Sequence, residues 1–114
     1  MIKNGAQFTC ERREDALVVH VRGEIDHHSA VWVRSEIDAR ILKDKPKKTV
    51  IDLSGISFMD SSGIGLVMGR YRTLQKKGAK LNLTNLPPNI YKVMKLAGIE
   101  RLANIEKENS YETT

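Results

Sequence analysis

Val50-Ile51-Asp52-Leu53, followed after a short interval by Phe58-Met59-Asp60-Ser61-Ser62-Gly63, carries the chain from a strand into a helix. The first four residues form an apolar run of the kind a buried strand shows, and Ile64, Val67, Met68, Tyr71 and Leu74 then recur at helical spacing. Ser61 and Ser62 therefore open a helix. At that end the backbone N–H groups lack intrahelical partners and the macrodipole is positive, so an Asp or Ser side chain can cap the turn and a phosphate can be held.

Outward from this stretch the chain alternates strands and helices. Toward the N-terminus, Leu17, Val19 and Val21 alternate with Val18, His20 and Arg22, the pattern of a strand with one covered face. Phe8 to Glu11 reads as a weaker strand, joined to it through the polar turn Arg12-Arg13-Glu14-Asp15. After Gly23-Glu24-Ile25-Asp26-His27-His28, the positions Ala30, Val33, Ile37 and Ile41 mark one face of a helix expected from Ser29 to Leu42, with Pro46 beyond its end. Toward the C-terminus, the helix opened by Ser61 should stop near Gly78, a fit for a left-handed cap. Leu81-Asn82-Leu83 alternates again. Pro87-Pro88 pre-sets a further helix with Ile90, Val93, Met94 and Ala97 on one face, which Gly98 ends. Leu102 to Ile105 adds a last short strand, and the tail from Glu106 is polar and expected to be loose, with at most a fragment of helix.

The predicted order is β-β-α-β-α-β-α-β, without internal repeats, and defines an α/β domain. Right-handed crossovers between neighbouring parallel strands place the helices against the sheet. The loops from Glu24 to Ser29 and from Phe58 to Ser62 both follow strands and precede helices. If their strands are neighbours the two loops form one surface, the expected functional face of an open α/β sheet.

Composition bounds the rest. A chain of 114 residues, 40% hydrophobic, fits a single domain over 1–114, with an ordered core of about 8–105 and the polar tail at 106–114. The lone Cys10 cannot form an internal disulfide, and no apolar run is long enough for a signal peptide or a membrane span, so a soluble cytoplasmic protein is expected. Lys and Arg number 19 against 14 Asp and Glu, a net charge of +5 that is mostly dispersed. The densest basic run, Lys43-Asp44-Lys45-Pro46-Lys47-Lys48, is interrupted by Asp44 and Pro46 and reads as a solvated loop.

Several chemistries fail on spacing. Gly63-Ile64-Gly65 with Gly69 misses a dinucleotide fingerprint, because the third glycine would fall at Met68, and no phosphate-binding Gly-x-x-x-x-Gly-Lys-Ser/Thr occurs. A nucleotide-binding or weakly hydrolysing protein is the alternative kept in view. Asp26, His27 or His28, and Ser61 supply the residue types of a hydrolase triad without a Gly-x-Ser-x-Gly elbow. Adjacent His27 and His28 seldom aim at one ion, and Cys10 and His20 lie in separate strands, so neither metal nor cofactor is expected. Nucleic-acid binding would draw on Arg70, Arg72, Lys76, Lys77 and Lys80, but aromatic residues, at 5%, are too few for stacking platforms. Trp32 falls off the main stripe of its helix, either covering a core edge or facing a partner. Phe58 and Met59 read as core or rim residues.

Two segments taken together, Gly23-Glu24-Ile25-Asp26-His27-His28 and Ile56-Ser57-Phe58-Met59-Asp60-Ser61-Ser62-Gly63-Ile64-Gly65-Leu66-Val67-Met68-Gly69-Arg70-Tyr71, resemble the STAS-domain family. Within it they resemble the anti-sigma-factor antagonists of the sporulation type, over roughly Phe8 to Ile105. The resemblance implies a single STAS-like domain with a mixed, mostly parallel β-sheet and helices packed against it. It also implies that the serine directly after the Asp, Ser61, is phosphorylated by a partner that is both a serine kinase and an anti-sigma factor. The unphosphorylated form would bind that partner and make it release its sigma factor; the phosphorylated form would let go until a PP2C-type phosphatase restores it. Such a domain is a ligand and a substrate, not an enzyme.

The same resemblance assigns kinase contact to the loop holding Glu24 and Asp26, whereas sequence chemistry alone makes Asp26 a helix cap. His27, Asp60, Ser62 and Gly63 complete the expected partner surface. Gly63 and Gly65 would let a partner backbone approach, though Gly63 equally suits close helix-to-sheet packing. His27-His28 and the Gly69-Arg70-Tyr71 ending resemble the sporulation branch rather than the stress-response one. The chain departs from the family after Ile105, where a short polar segment stands in place of a final amphipathic helix.

Overall fold

The computed structural model describes residues 2–107. Its elements are β1 (Ile2–Lys3), β2 (Ala6–Arg13), β3 (Ala16–Ile25), α1 (His27–Asp44), β4 (Lys48–Met59), α2 (Ser61–Lys76), β5 (Lys80–Leu86), α3 (Pro88–Leu96), a 3-10 turn at Ile99–Arg101, and β6 (Asn104–Lys107). The expected alternation is present, with a two-residue strand added at the start. Six strands form one sheet in the order β1-β2-β3-β4-β5-β6. β1, β2 and β3 pair antiparallel, and β3 to β6 pair parallel. The sheet is therefore mixed and mostly parallel.

Period-two patterning decides which side of the sheet is covered. Leu17, Val19 and Val21 of β3, Ile51 and Leu53 of β4, and Leu81 and Leu83 of β5 are buried, while Val18, His20, Val50, Asp52, Asn82 and Thr84 between them are half-buried. Ala30, Val33, Ile37 and Ile41 of α1 bury one face in the same core, as their spacing predicts. Along α2 the deepest line is Gly63, Leu66, Val67, Arg70 and Leu74, with Ile64, Met68 and Tyr71 only half-buried at its side. The covered stripe of α2 is thus turned from the one read from its apolar residues, and it includes an arginine. Trp32 is buried, edge-on to Phe8 with ring centroids 6.1 Å apart, and its Nε1–H donates to the Lys3 carbonyl at 2.9 Å. It covers the core edge.

Several boundaries move. The helix expected from Ser29 starts at His27, because Asp26 supplies the cap. The polar turn before β3 narrows to Glu14 and Asp15, with Glu14 at φ 57°. β4 runs on through Ser54-Gly55-Ile56-Ser57-Phe58 to Met59, held by parallel pairing of Gly55, Ile56, Phe58 and Met59 with β3. Lys45 at φ 46° ends α1, and Gly78 (φ 70°) and Gly98 (φ 78°) follow α2 and α3 as expected. The last strand lies at Asn104–Lys107 rather than Leu102–Ile105, because Ile99–Arg101 first closes a 3-10 turn that buries Ile99. Glu106 and Lys107, expected in the loose polar tail, instead end β6, and the rest of that tail lies outside the described residues.

Candidate functional site

The parallel pairing of β3 with β4 matches Ile25 to Met59, so both strands end side by side. A single residue then leads each strand into its helix: Asp26 between β3 and α1, and Asp60 between β4 and α2. The Asp60 N–H donates to the Ile25 carbonyl at 3.1 Å, which ties the two turns together. The predicted shared surface is present, though each connection is shorter than the loop read from sequence.

Both aspartates are caps. Asp26 Oδ1 accepts from the backbone N–H groups of His28 at 2.9 Å and Ser29 at 3.0 Å. Ser29 reciprocates through its hydroxyl oxygen, which accepts from the Asp26 N–H at 2.9 Å, and its O–H donates to the Glu24 carbonyl at 2.7 Å. This closed capping box satisfies donors that a helix start otherwise leaves orphaned. The Ser29 backbone N–H, joined by the His28 N–H and the Ser29 hydroxyl, outweighs the upward pull of desolvation and leaves the Asp26 carboxyl below the usual aspartate range. Asp60 Oδ1 accepts from the Ser62 N–H at 2.8 Å. Among the described residues, Oδ2 of Asp26 and of Asp60 takes no hydrogen bond.

Ser61 is the first residue of α2 and is exposed; its hydroxyl forms no hydrogen bond among the described residues. Ser62 is half-buried one position on. Glu24 is exposed, its carboxylate near the Gly5 turn, and its backbone N–H donates to the Gly5 carbonyl at 3.0 Å. His27 and His28 open α1 with their rings edge to face, centroids 5.4 Å apart. Gly63 is buried, and a Cβ there would stand 2.2 Å from Met59 Cγ, so its missing side chain makes room for Met59. Gly65 is different: it is exposed, and a Cβ there would meet nothing within 4 Å. Phe58 stands 49% exposed beside these turns, on the rim.

Glu24, Asp26, His27, Asp60, Ser61 and Ser62 are thus gathered at one end of the β3–β4 pair. Sequence reading did not separate Arg70 from the surface cations. It is buried and ion-paired with Asp38, Nε to Oδ1 2.8 Å. Its place on the stripe Gly63, Leu66, Val67, Arg70, Leu74 was the available signal, since i, i+3, i+4, i+7 residues share a helix face.

A mixed sheet with parallel β3 to β6, helices on one core, and a serine presented at the start of α2 beside a neighbouring capped turn define an α/β domain that displays a serine at one end of its sheet. The chain belongs to the STAS domain family, whose model matches residues 7–111. It is 38% identical over 85 residues to an anti-sigma F factor antagonist of Lysinibacillus sphaericus, covering 75% of this chain and 73% of that one. It is also similar to the solved unphosphorylated form of the anti-sigma factor antagonist SpoIIAA, with a TM-score of 0.76 and 30% identity over 92% of each chain. The phosphorylated form of SpoIIAA, described as a Bacillus cell fate determinant, matches with a TM-score of 0.71 and 30% identity, covering 94% of this chain and 97% of that one.

Proposed function

We propose that this chain is a single-domain, cytoplasmic anti-sigma-factor antagonist of the sporulation type, controlled by phosphorylation of Ser61. In this reading the unphosphorylated form binds an anti-sigma factor that is also a serine kinase and frees its sigma factor. Phosphorylation ends the binding, and a PP2C-type phosphatase restores it. The chain acts as ligand and substrate rather than catalyst. Its relatives favour this over a nucleotide-binding role.

The observation that carries the reading is the exposed Ser61 at the first position of α2, directly after the Asp60 cap and next to the Asp26 turn. A phosphoryl group there adds close to two negative charges at the positive end of the α2 dipole, so the fold tolerates it. A partner packed on the hydroxyl meets a hydrated dianion instead. A thousandfold loss of affinity needs only about 4 kcal/mol, within the cost of desolvating such charge without matching donors.

Incubation with the cognate kinase and ATP, read by intact mass, should add one phosphate to wild type and none to Ser61→Ala. Equal uptake by both proteins would overturn the assignment. Ser61→Asp should keep the melting temperature and weaken kinase binding, because one carboxylate reproduces part of the phosphate's charge; unchanged affinity would count against the electrostatic account.

A further inference from the structure

α1 and α2 run side by side from the capped turns, and between them lies a groove of about 500 Å³ that reaches from Ser62 to Thr73 and is lined by Val31, Arg34, Leu66, Arg70 and Arg72. From Ser62 to Thr73 its length is about 16 Å at the helical rise. Gly65 and Gly69 leave its α2 wall open, since a Cβ at either would meet nothing within 4 Å. Val31 is 61% exposed on the opposite wall. Three arginines line the groove and no carboxylate does.

Arg70 adds an independent observation. Its side chain is 4% exposed, and its Nη1 is buried with no hydrogen-bond partner. Asp38 neutralises the charge at 2.8 Å, but neither Arg70 Nε nor Asp38 Oδ1 meets hydrogen-bond geometry. A buried guanidinium with unused donors is costly unless an acceptor arrives. Arg34 is 66% exposed on its side chain, and its own distance to Asp38 is 3.8 Å, so it is free to turn to another carboxylate.

We infer that this groove seats an acidic segment of the protein partner, its carboxylates on Arg34 and Arg72, with Arg70 beneath, and its apolar residues on Val31 and Leu66. This rests on the reading that a protein docks beside Ser61, and it extends that surface from Ser62 along α2. Charge complementarity and continuity with the Ser61 turn argue for a protein segment. Arginine forks suit carboxylates, and small residues allow the backbone to come close.

Two measurements test it. Isotope-labelled full-length protein is titrated with a ten-residue peptide alternating Glu and Leu, and separately with the Lys–Leu counterpart. The acidic peptide should shift the amides of Ala30 to Arg34 and Ser62 to Thr73, and the basic one should not. No shifts, shifts elsewhere, or a uridine oligonucleotide binding the same groove more tightly would overturn the inference. The second measurement is affinity for the cognate anti-sigma factor. Arg34→Glu with Arg72→Glu should weaken it at least about thirtyfold, and Arg34→Gln with Arg72→Gln by less, with circular dichroism unchanged. Full affinity in the reversed variant, alongside weakened binding by Ser61→Asp, would overturn the groove and leave the antagonist reading standing. Absence of both binding and phosphorylation in wild type would sink that reading instead, and the peptide titration would then decide the groove.

Discussion

Gly63 and Gly65 stand two positions apart in α2 and answer to different neighbours. Gly63→Ala drives a methyl group into Met59 and should destabilise the protein by about 1–3 kcal/mol, the usual range for overpacking. Met59→Ala opens that space, so the double variant should lose less than the two single losses added, a coupling that urea unfolding of all four proteins measures. Gly65→Ala meets no neighbour and should raise stability by about 0.5–1 kcal/mol through helix propensity. The sequence left both roles open for Gly63, because a strand-end methionine becomes a helix neighbour only after β4 and α2 are packed. Ser61, by contrast, was legible, since its place depends only on the local change of hydrophobic period and the preceding Asp.

At the level of elements, the site is built from two strand-to-helix junctions with the same construction. Asp60→Ala removes the acceptor for the Ser62 N–H and should cost about 1 kcal/mol, lowering the melting temperature by about 4–8 °C in calorimetry. Asp60→Ser should recover most of that, because a hydroxyl also caps. The alternation of elements could be read from periodicity and glycine or proline punctuation alone. The exact starts could not. Asp26 was legible as a cap by its chemistry, but the first apolar position of the stripe, Ala30, drew the expected start to Ser29, which is the buried N3 partner of that cap. β4 outruns its apolar core because backbone pairing to β3, which no side-chain pattern reports, carries it to Met59. The Arg70–Asp38 pair escaped for a related reason: it joins two helices whose relative placement a one-dimensional pattern does not contain.

Across the whole molecule, carboxylates held by hydrogen bonds set the response to acid. Burial raises the Asp52 carboxyl, but donors on Ser54, His20 and Asn85 outweigh it and hold it below the usual range. His20 Nδ1 lies 2.7 Å from Asp52 Oδ2, and its Nε2 lies 3.3 Å from Glu11 Oε1. Glu11 is lowered chiefly by its hydrogen bond from Arg13, then by His20, and Asp26 is lowered at the α1 cap. A depressed folded-state pKa means stability that is present above the unfolded values of 3.8 for Asp and 4.5 for Glu. It is lost as pH falls through the lower folded values. The melting temperature should therefore hold from pH 7 to 5 as far as these groups determine it, and fall below about pH 4, chiefly through Asp52, since solvent screens Glu11 and Asp26. Asp52→Asn should flatten that fall in a pH series of thermal melts; an unaltered slope would show that Asp52 is not a source of it.

The strand order has a consequence for how such a sheet is assembled. Every strand lies beside its predecessor and its successor in the chain, from β1 through β6. No strand has to be threaded between two that are already joined, so the sheet can grow by accretion at an open edge. Each step then closes only a loop spanning one hairpin or one crossover, which keeps the entropy of closure small. The β3–β4 pair that carries both capped turns sits in the interior of that series, so growth at either edge proceeds without reopening the surface on which Ser61 is displayed.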